Sequence, residues 1–250
     1  MTKSRQFLAG FVVLLNAAYA HAARVEVGVE ALLAPTVGYE QKNNIQVVLY
    51  GTLPNKCYSL DEYQVEKDQL GRTVSVRQWA ERETSGLCAD ESHLPPDWKT
   101  PIPFMTEVSV GHLPVGNTTF SFMRTGGGVG SRVVRVSPNT TLSIDSMPYA
   151  AVSNVGVADV INGTKEIVVT LTGVLNSSCT QLEDEVKVDH ESDVFVLLPT
   201  VKAKKEGQCL EVLIPFKKKV NLGLAPAGRY LIHARSMNGK ALNRVIMVAR

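Results

Sequence analysis

The chain has 250 residues, 44% of them hydrophobic, which is enough for one large domain or two domains of ordinary size. Its 26 basic and 24 acidic residues nearly balance, and the segment after residue 22 contains 24 of each. This balance excludes a dedicated nucleic-acid-binding protein, which needs a strong positive excess, and it gives no general reason to bind an anionic membrane.

The first residues have the pattern of a secretory signal peptide. Two basic residues precede an apolar run over residues 7–18, and the sequence AYAHA at residues 18–22 then offers two small-residue cleavage sites. The apolar run is too short to cross a bilayer of roughly 30 Å as a helix. We therefore predict a signal peptide over residues 1–22, cleaved near Ala20 or Ala22, and a periplasmic or secreted protein with no membrane span after processing.

The two cleavage sites differ in one consequence, because His21 lies between them. Cleavage after Ala20 would leave His21 at the N-terminus, where its amine and its imidazole together could chelate copper. Cleavage after Ala22 would remove this residue. Copper binding through His21 is therefore a lesser alternative function.

An internal repeat divides the rest of the chain. Residues 45–53 read IQVVLYGTL and residues 167–175 read IVVTLTGVL, and a cysteine lies four residues after each segment. Seven such matches occur in the same order over about 110 residues, including an IPF tripeptide in each copy. We predict two copies of one domain, over residues 23–137 and 138–250.

Four cysteines form an even set in a chain predicted to be exported, so we expect two disulfides. Because each copy must fold as a unit, the repeat selects Cys57–Cys88 and Cys179–Cys209 from the three possible pairings. Closing a loop of about 30 residues contributes roughly 3–4 kcal/mol in the chain-entropy account. A metal site built from these cysteines is disfavoured, because the sequence has no C-x-x-C pair.

Within each copy the local pattern is that of strands and turns. Apolar residues alternate with polar ones over residues 25–30, 73–76 and 107–110, which is typical of half-buried strands. Turn signals are the triple glycine at 126–128 and the Asn238-Gly239 pair. We predict an all-β fold with two tandem β-sandwich domains, each of about seven strands with one intradomain disulfide.

The order of a strand with a G-x-L ending, two cysteines, a P-F pair and a late hairpin resembles the immunoglobulin-like or fibronectin type III-like modules of exported bacterial proteins. Two features depart from antibody-type domains: no tryptophan lies between Cys179 and Cys209, and Cys57 follows its strand. The resemblance implies a module that binds, spaces or scaffolds.

No motif points to catalysis. The sequence has no G-x-S-x-G elbow, no H-E-x-x-H pair and no P-loop, and its five histidines are not spaced as metal ligands. We therefore predict a protein that is not an enzyme, with no catalytic residue, no metal and no cofactor. The alternating Asp189, Glu191 and Asp193 could suggest calcium ligands, but a solvated hairpin is the favoured interpretation.

The second copy is charge-segregated, with acidic residues at 183–185 and six lysines between residues 202 and 219. One interpretation is a basic patch for an acidic partner. The favoured one is a set of neighbouring strands whose charges offset one another, with lysines that protect an exposed sheet edge.

The clearest difference between the copies is an insertion. Phe104 follows Cys88 by sixteen positions, whereas Phe216 follows Cys209 by seven, and the extra residues lie in the 89–101 loop. Candidate binding residues in this loop are His93, Leu94, Pro95, Pro96, Asp97 and Trp98. Trp98 either anchors a partner or caps the domain.

The leading hypothesis is a non-enzymatic binding or structural module that presents its loops to an unknown protein or glycan partner. The alternative from another class is an inhibitor of an extracytoplasmic protease or hydrolase that uses the 89–101 loop.

Overall fold

The structure is a computed structural model that describes residues 22–36, 38–204 and 208–250. Residues 1–21, with most of the proposed signal peptide and His21, lie outside the described residues. Within the described ranges the protein is all-β, as predicted, and no helix is long and apolar enough to cross a membrane.

Strands occupy both halves of the chain. The described part of the N-terminal half contains β1 (Ala23–Val27), β2 (Val29–Leu33), β3 (Tyr39–Glu40), β4 (Ile45–Leu53), β5 (Tyr58–Lys67), β6 (Thr73–Arg82), β7 (Ile102–Gly111), β8 (Gly116–Met123) and β9 (Val129–Ser137). Two 3₁₀ helices, Gly86–Ala89 and Glu91–His93, lie between β6 and β7.

The described part of the C-terminal half contains β10 (Ala151–Gly156), β11 (Val160–Asn162), β12 (Val168–Leu175), β13 (Thr180–Leu182), β14 (Lys187–Glu191), β15 (Val194–Leu198), β16 (Val201–Ala203), β17 (Ile214–Asn221), β18 (Gly228–Ser236) and β19 (Lys240–Ala249). These nine and ten strands exceed the expected seven per half. In the C-terminal half the difference comes from three strands of three residues, β11, β13 and β16, which are too short to show an alternating pattern. In the N-terminal half it comes from the two-residue strand β3 and from the division of one predicted strand into β1 and β2.

Each half contains two main sheets. In the N-terminal half the N-inner sheet has the order β2-β4-β7, and the N-outer sheet has the order β3-β9-β8-β6-β5, with β1 also paired to β6. In the C-terminal half the C-outer sheet has the order β10-β12-β17 and the C-inner sheet has the order β11-β19-β18-β15-β14. Strands β13 and β16 form a separate ribbon.

The strand pairings of one half recur in the other. The pair β3 and β9 is parallel, as is the pair β11 and β19. The pair β6 and β8 is parallel, as is the pair β15 and β18. The remaining pairs in the four main sheets are antiparallel, so both halves have the same order and the same directions.

Each half encloses its own hydrophobic core between its two sheets. In the N-terminal half, Val47 and Leu49 of the N-inner sheet meet Phe120 of the N-outer sheet. In the C-terminal half, Leu171 and Phe195 occupy the same layer. Each such side chain contributes about 1.5–3 kcal/mol when it leaves water, so the alternation of these strands selects the buried face.

One strand of the sequence pattern is split in the structure. Residues 25–30 alternate as a single strand, but β1 joins the N-outer sheet and β2 joins the N-inner sheet, with Gly28 between them. A Cβ atom at Gly28 would lie 2.5 Å from the Cα of Thr125, so only glycine allows this close approach. The chain therefore crosses between the two sheets at this residue.

A third apolar layer joins the two halves. Leu33 and Val48 on the outward face of the N-inner sheet pack against Val194, Val196 and Leu231 of the C-inner sheet. The four sheets are therefore stacked in the order N-outer, N-inner, C-inner, C-outer. Strands β15 and β18 are buried on both faces for this reason, which explains why β15 is a continuous apolar run.

Candidate binding site

The two disulfides pair as the repeat predicts. Cys57 is bonded to Cys88 and Cys179 to Cys209, with sequence separations of 31 and 30 residues. Each bridge lies at a tip of its own half, where it joins the connection that follows β4 or β12 to the connection that precedes β7 or β17. Two such bonds suggest an oxidising, extracytoplasmic environment.

The inserted loop covers the disulfide at the N-terminal tip. Cys57, Cys88 and Leu94 are all buried, and Trp98 and Tyr58 pack against them. The amide of Lys56 donates to the carbonyl of Trp98 at 3.0 Å, which ties the loop to the strand connection beneath it. The Leu94–Trp98 segment therefore acts as a cap on this tip.

A carboxylate beneath the cap holds the loop in place. Glu91 pairs with Arg82 at 2.7 Å and accepts hydrogen bonds from Asn55 at 2.7 Å and from Tyr58 at 3.2 Å. Desolvation acts to raise the pKa of Glu91, but these hydrogen bonds and the Arg82 charge outweigh it and lower that pKa overall. The ionised form is thus the one that this site stabilises.

Three polar residues at the start of the loop resemble a catalytic triad only in composition. Asp90 accepts from Ser92 at 2.7 Å and lies 2.7 Å from Nδ1 of His93, and these bonds lower the pKa of Asp90. Ser92 also contacts Nδ1 of His93, at 3.0 Å, whereas a relay needs the serine on the opposite ring nitrogen. The three residues form an exposed cap of a 3₁₀ turn.

The structure divides the six predicted binding residues into two groups. Leu94 is buried and Trp98 is half-buried against the disulfide, whereas His93, Pro96 and Asp97 are exposed and Pro95 is intermediate. Asp97 also pairs with Lys56 at 3.1 Å. The side chains with the most apolar surface therefore face the protein rather than solvent.

No described residue caps the C-terminal tip in this way. Its short connection leaves Leu210, Val212 and Leu213 exposed at 54%, 42% and 72%, and Cys209 is exposed beside them. The backbone here is anchored, because Ser178 N donates to Leu210 O at 3.0 Å and Leu210 N donates to Ser178 Oγ at 2.9 Å. Sequence reasoning missed this C-tip patch (Leu210, Val212 and Leu213), although three aliphatic residues after an uncapped cysteine were a usable signal.

The charged segments of the C-terminal half neutralise one another in part. Lys202 pairs with Asp184 at 3.2 Å and with Glu183 at 3.6 Å, and Lys218 donates to the carbonyl of Asp184. Lys217 is exposed on the edge strand β17. This arrangement agrees with offset charges and a protected edge.

The alternating acidic residues Asp189, Glu191 and Asp193 are not the simple solvated hairpin that the sequence predicts. Glu191 accepts hydrogen bonds from the amide and the hydroxyl of Thr36, both at 2.6 Å, and Asp193 pairs with Arg132 at 2.9 Å. The hairpin is therefore not simply solvated, because two of its three carboxylates bind the N-terminal half. Among the described residues, no group of three or more His, Cys, Asp or Glu side chains could hold a metal ion.

A buried ionic network reinforces the contact between the halves. Arg235, with a side chain 3% exposed, donates to Asn43 at 2.8 Å and pairs with Asp145 at 3.1 Å. At the opposite side Arg229 stacks over Tyr50 at 3.6 Å and pairs with Glu30. The Asp145 carboxylate lies in the same half and neutralises the buried guanidinium, and the hydrogen bond to Asn43 is the contact by which Arg235 joins the two halves.

His233 lies within the same contact. It is 1% exposed, its Nδ1 is 2.8 Å from the side-chain oxygen of Asn243, and its ring meets Tyr39 edge-on at 5.6 Å. Burial lowers the pKa of His233 to about 4, the hydrogen bond with Asn243 opposes this, and the charge of Arg235 lowers it further. The imidazole is therefore neutral at pH 7.

Comparison of equivalent positions shows how each half acquired its contact face. In the N-inner sheet, the outward residues Ala31 and Leu33 pair with Tyr50 and Val48. At the equivalent places in the C-outer sheet, Asn154 and Gly156 pair with Thr172 and Thr170. Likewise Val194, Val196 and Leu231 of the C-inner sheet correspond to Thr73, Ser75 and Thr119 of the N-outer sheet. At these equivalent positions the outward residues are apolar where the halves meet and polar or glycine where they do not, which is a signal that the repeat alignment alone contains.

Comparison with known proteins bears on the C-terminal half. No curated protein and no solved structure matches the chain. Residues 169–248, which extend from β12 into β19, match the family model of the ORF11 beta-sandwich domain, and this half is therefore similar to that domain.

Proposed function

We propose that the protein is an exported, non-enzymatic binding module made of two tandem immunoglobulin-like sandwiches, over residues 23–137 and 138–250, and that it binds a protein partner through the C-tip patch. The observation that carries this proposal is the contrast between the tips: one disulfide is capped by its own loop, and the other lies beside exposed aliphatic side chains.

The tandem immunoglobulin-like assignment is supported by the shared strand order and by one disulfide in each half. Export is supported by the leader-like pattern of the first 22 residues together with the two disulfides. A module of this kind, with halves held together by an apolar layer and Arg235, presents its two tips in one relative orientation.

A non-enzymatic role is supported by the surroundings of the reactive side chains. His233 is buried, neutral and without access to solvent, and His93 with Ser92 has the wrong geometry for proton relay. A catalytic base needs both an accessible ring nitrogen and a neighbouring nucleophile or substrate site.

A protein partner is favoured over a glycan at the C-tip patch. Its three side chains are aliphatic, whereas sugar rings are usually held by aromatic faces and dense hydrogen-bonding groups. Aliphatic patches on an anchored backbone lose little conformational entropy on binding, which suits a protein interface. In the 89–101 loop, the exposed residues His93, Pro96 and Asp97 could contact a partner in addition to the C-tip patch.

The test compares a patch variant with a matched surface variant. The double substitution Leu210→Ser and Leu213→Ser removes the patch, and Leu70→Ser with Leu142→Ser removes exposed leucines elsewhere. Wild type and both variants are used as bait in extracts of the native cell envelope. The partner that wild type captures is then purified and titrated with each of the three proteins. We expect the patch variant to bind at least about tenfold more weakly than wild type while the control binds normally. Equal binding by both variants would refute the proposal.

A further inference from the structure

An open groove lies between the halves, at the opposite edge from Thr36 and Glu191. Tyr50, Pro103 and Met105 of the N-inner sheet form one wall, and Val160, Val245 and Met247 of the C-inner sheet form the other. Its volume is about 430 Å³ and its lining is mostly apolar. Val160 is 64% exposed and Met105 is 39% exposed, so the groove is accessible.

The groove exists because the two packed sheets differ in width. The N-inner sheet has three strands and the C-inner sheet has five. Thr36, which follows β2, binds Glu191 at the β14 end, and Glu107 on β7 lies beside Asn243 on β19. In the part of the chain that the structure describes, β11, beyond β19, therefore has no strand of the N-inner sheet opposite it, and Val160 faces the gap.

The edge of β7 that borders this gap is unpaired among the described residues, because β7 pairs only with β4. The amide of Ser109 points away from β4, toward the hydroxyl of Tyr63 at 3.4 Å. Amide direction alternates along a strand and the register is regular from 102 to 109, so the amides of Met105 and Glu107 face the same free edge. Pro103 occupies the next outward position, where the absence of an N–H group is tolerated.

We propose that an extended segment of a partner protein, with alternating apolar side chains, adds to the N-inner sheet beside β7 and fills the groove. Its main chain pairs with Met105 and Glu107, and its apolar side chains cover Val160 and Met247. The added strand continues an interface that already exists, because Val245 contributes both to the apolar layer between the halves and to the groove wall.

The groove is separate from the C-tip patch, so the outcome of a test at the groove does not affect the proposed function. The two are carried by different residues: free main-chain groups and a groove between sheets in one case, exposed side chains on a tip in the other. Variants in the groove and at the tip therefore give independent results.

The test uses the mature chain and a short capped peptide of alternating valine and threonine, with lysines at both ends for solubility. Binding is followed by amide chemical shifts and amide hydrogen exchange. We expect protection of the Met105 and Glu107 amides and shifts at Val160 and Met247. The same peptide with a central proline should show no binding, because proline removes a pairing N–H group and cannot continue the ladder.

Two surface variants distinguish binding in the groove from nonspecific binding to exposed apolar side chains. Val160→Lys places a charge in the groove, and Val133→Lys makes the same change on the N-outer sheet, where Val133 is 47% exposed. We expect binding roughly tenfold weaker for Val160→Lys and unchanged for Val133→Lys. Protection at another edge such as β5 or β17, equal binding of the proline peptide, or self-association of the chain through β7 would each overturn the proposal.

Discussion

The C-inner sheet and the N-outer sheet share five strands in the same order, yet one is buried on both faces and the other on one. Val194, Val196 and Leu231 occupy positions that Thr73, Ser75 and Thr119 occupy in the N-terminal half. The core-facing residues of both sheets are apolar, so the fold of each half does not depend on this difference. Outward positions alone therefore decide which faces of a repeated module pack together.

The largest expected change in the free energy of unfolding comes from placing a charge at one of these equivalent positions. Leu231→Asp buries an unpaired carboxylate in the layer between the halves, where Leu231 is 1% exposed, and should lower the free energy of unfolding by about 4 kcal/mol. Thr119→Asp, at the equivalent half-exposed position, should change it by no more than about 0.5 kcal/mol. Urea denaturation measures both values. Similar losses in the two variants would mean that the halves are not in contact.

The next effect is a dependence of stability on pH that comes from one histidine of the C-terminal half. His233 has a folded pKa of about 4 against an ordinary value of 6.5, because it is buried beside Arg235 and Tyr39. The unfolded chain then binds the proton more readily, so this contribution is complete above pH 6.5 and is lost as the pH falls toward 4, by on the order of 3 kcal/mol.

His233→Ser introduces the residue found at the equivalent position, Ser121, and is the matched variant for this prediction. We expect its urea midpoint to vary less between pH 7 and pH 4.5 than that of wild type, whatever its absolute stability. An unchanged pH profile in His233→Ser would show that other groups dominate acid destabilisation.

The smallest effect concerns the two tips. The Cys57–Cys88 bond is buried under Leu94 and Trp98, whereas Cys209 is exposed, so mild reductant with an alkylating reagent should label Cys209 first. Leu94→Ala should cost about 2 kcal/mol and bring the reduction rate of the N-terminal bond closer to that of the other. Mass spectrometry of labelled peptides follows both bonds. Equal labelling rates in wild type would contradict the capping role of the loop.

Much of the fold follows from local patterns in the sequence. The alternation in β12 selects its buried face, Asn238 and Gly239 adopt the positive φ values of 63° and 68° that their hairpin requires, and the repeat gives the cysteine pairing. These features depend on neighbours along the chain or on comparison of the two copies, which a sequence contains directly.

Other features depend on residues that are distant in the sequence. Glu191 and Asp193 have the composition of a solvated turn, and nothing nearby indicates that Thr36 and Arg132 bind them. The inward orientation of Trp98 depends on the shape of the disulfide beneath it. The exposure of Leu210, Val212 and Leu213 is a third such feature, because it depends on how the chain packs around the second disulfide.

The contact between the inner sheets can be tested with the two tryptophans of the chain, Trp79 and Trp98, which both lie in the N-terminal half. Fluorescence therefore follows that half alone, whereas far-ultraviolet circular dichroism follows the strands of both. In urea, an apolar layer with Arg235 buried in it should make the wild-type halves unfold together, so that both signals change at the same concentration. Two separate midpoints in the wild-type chain would contradict the packing of the halves into one unit.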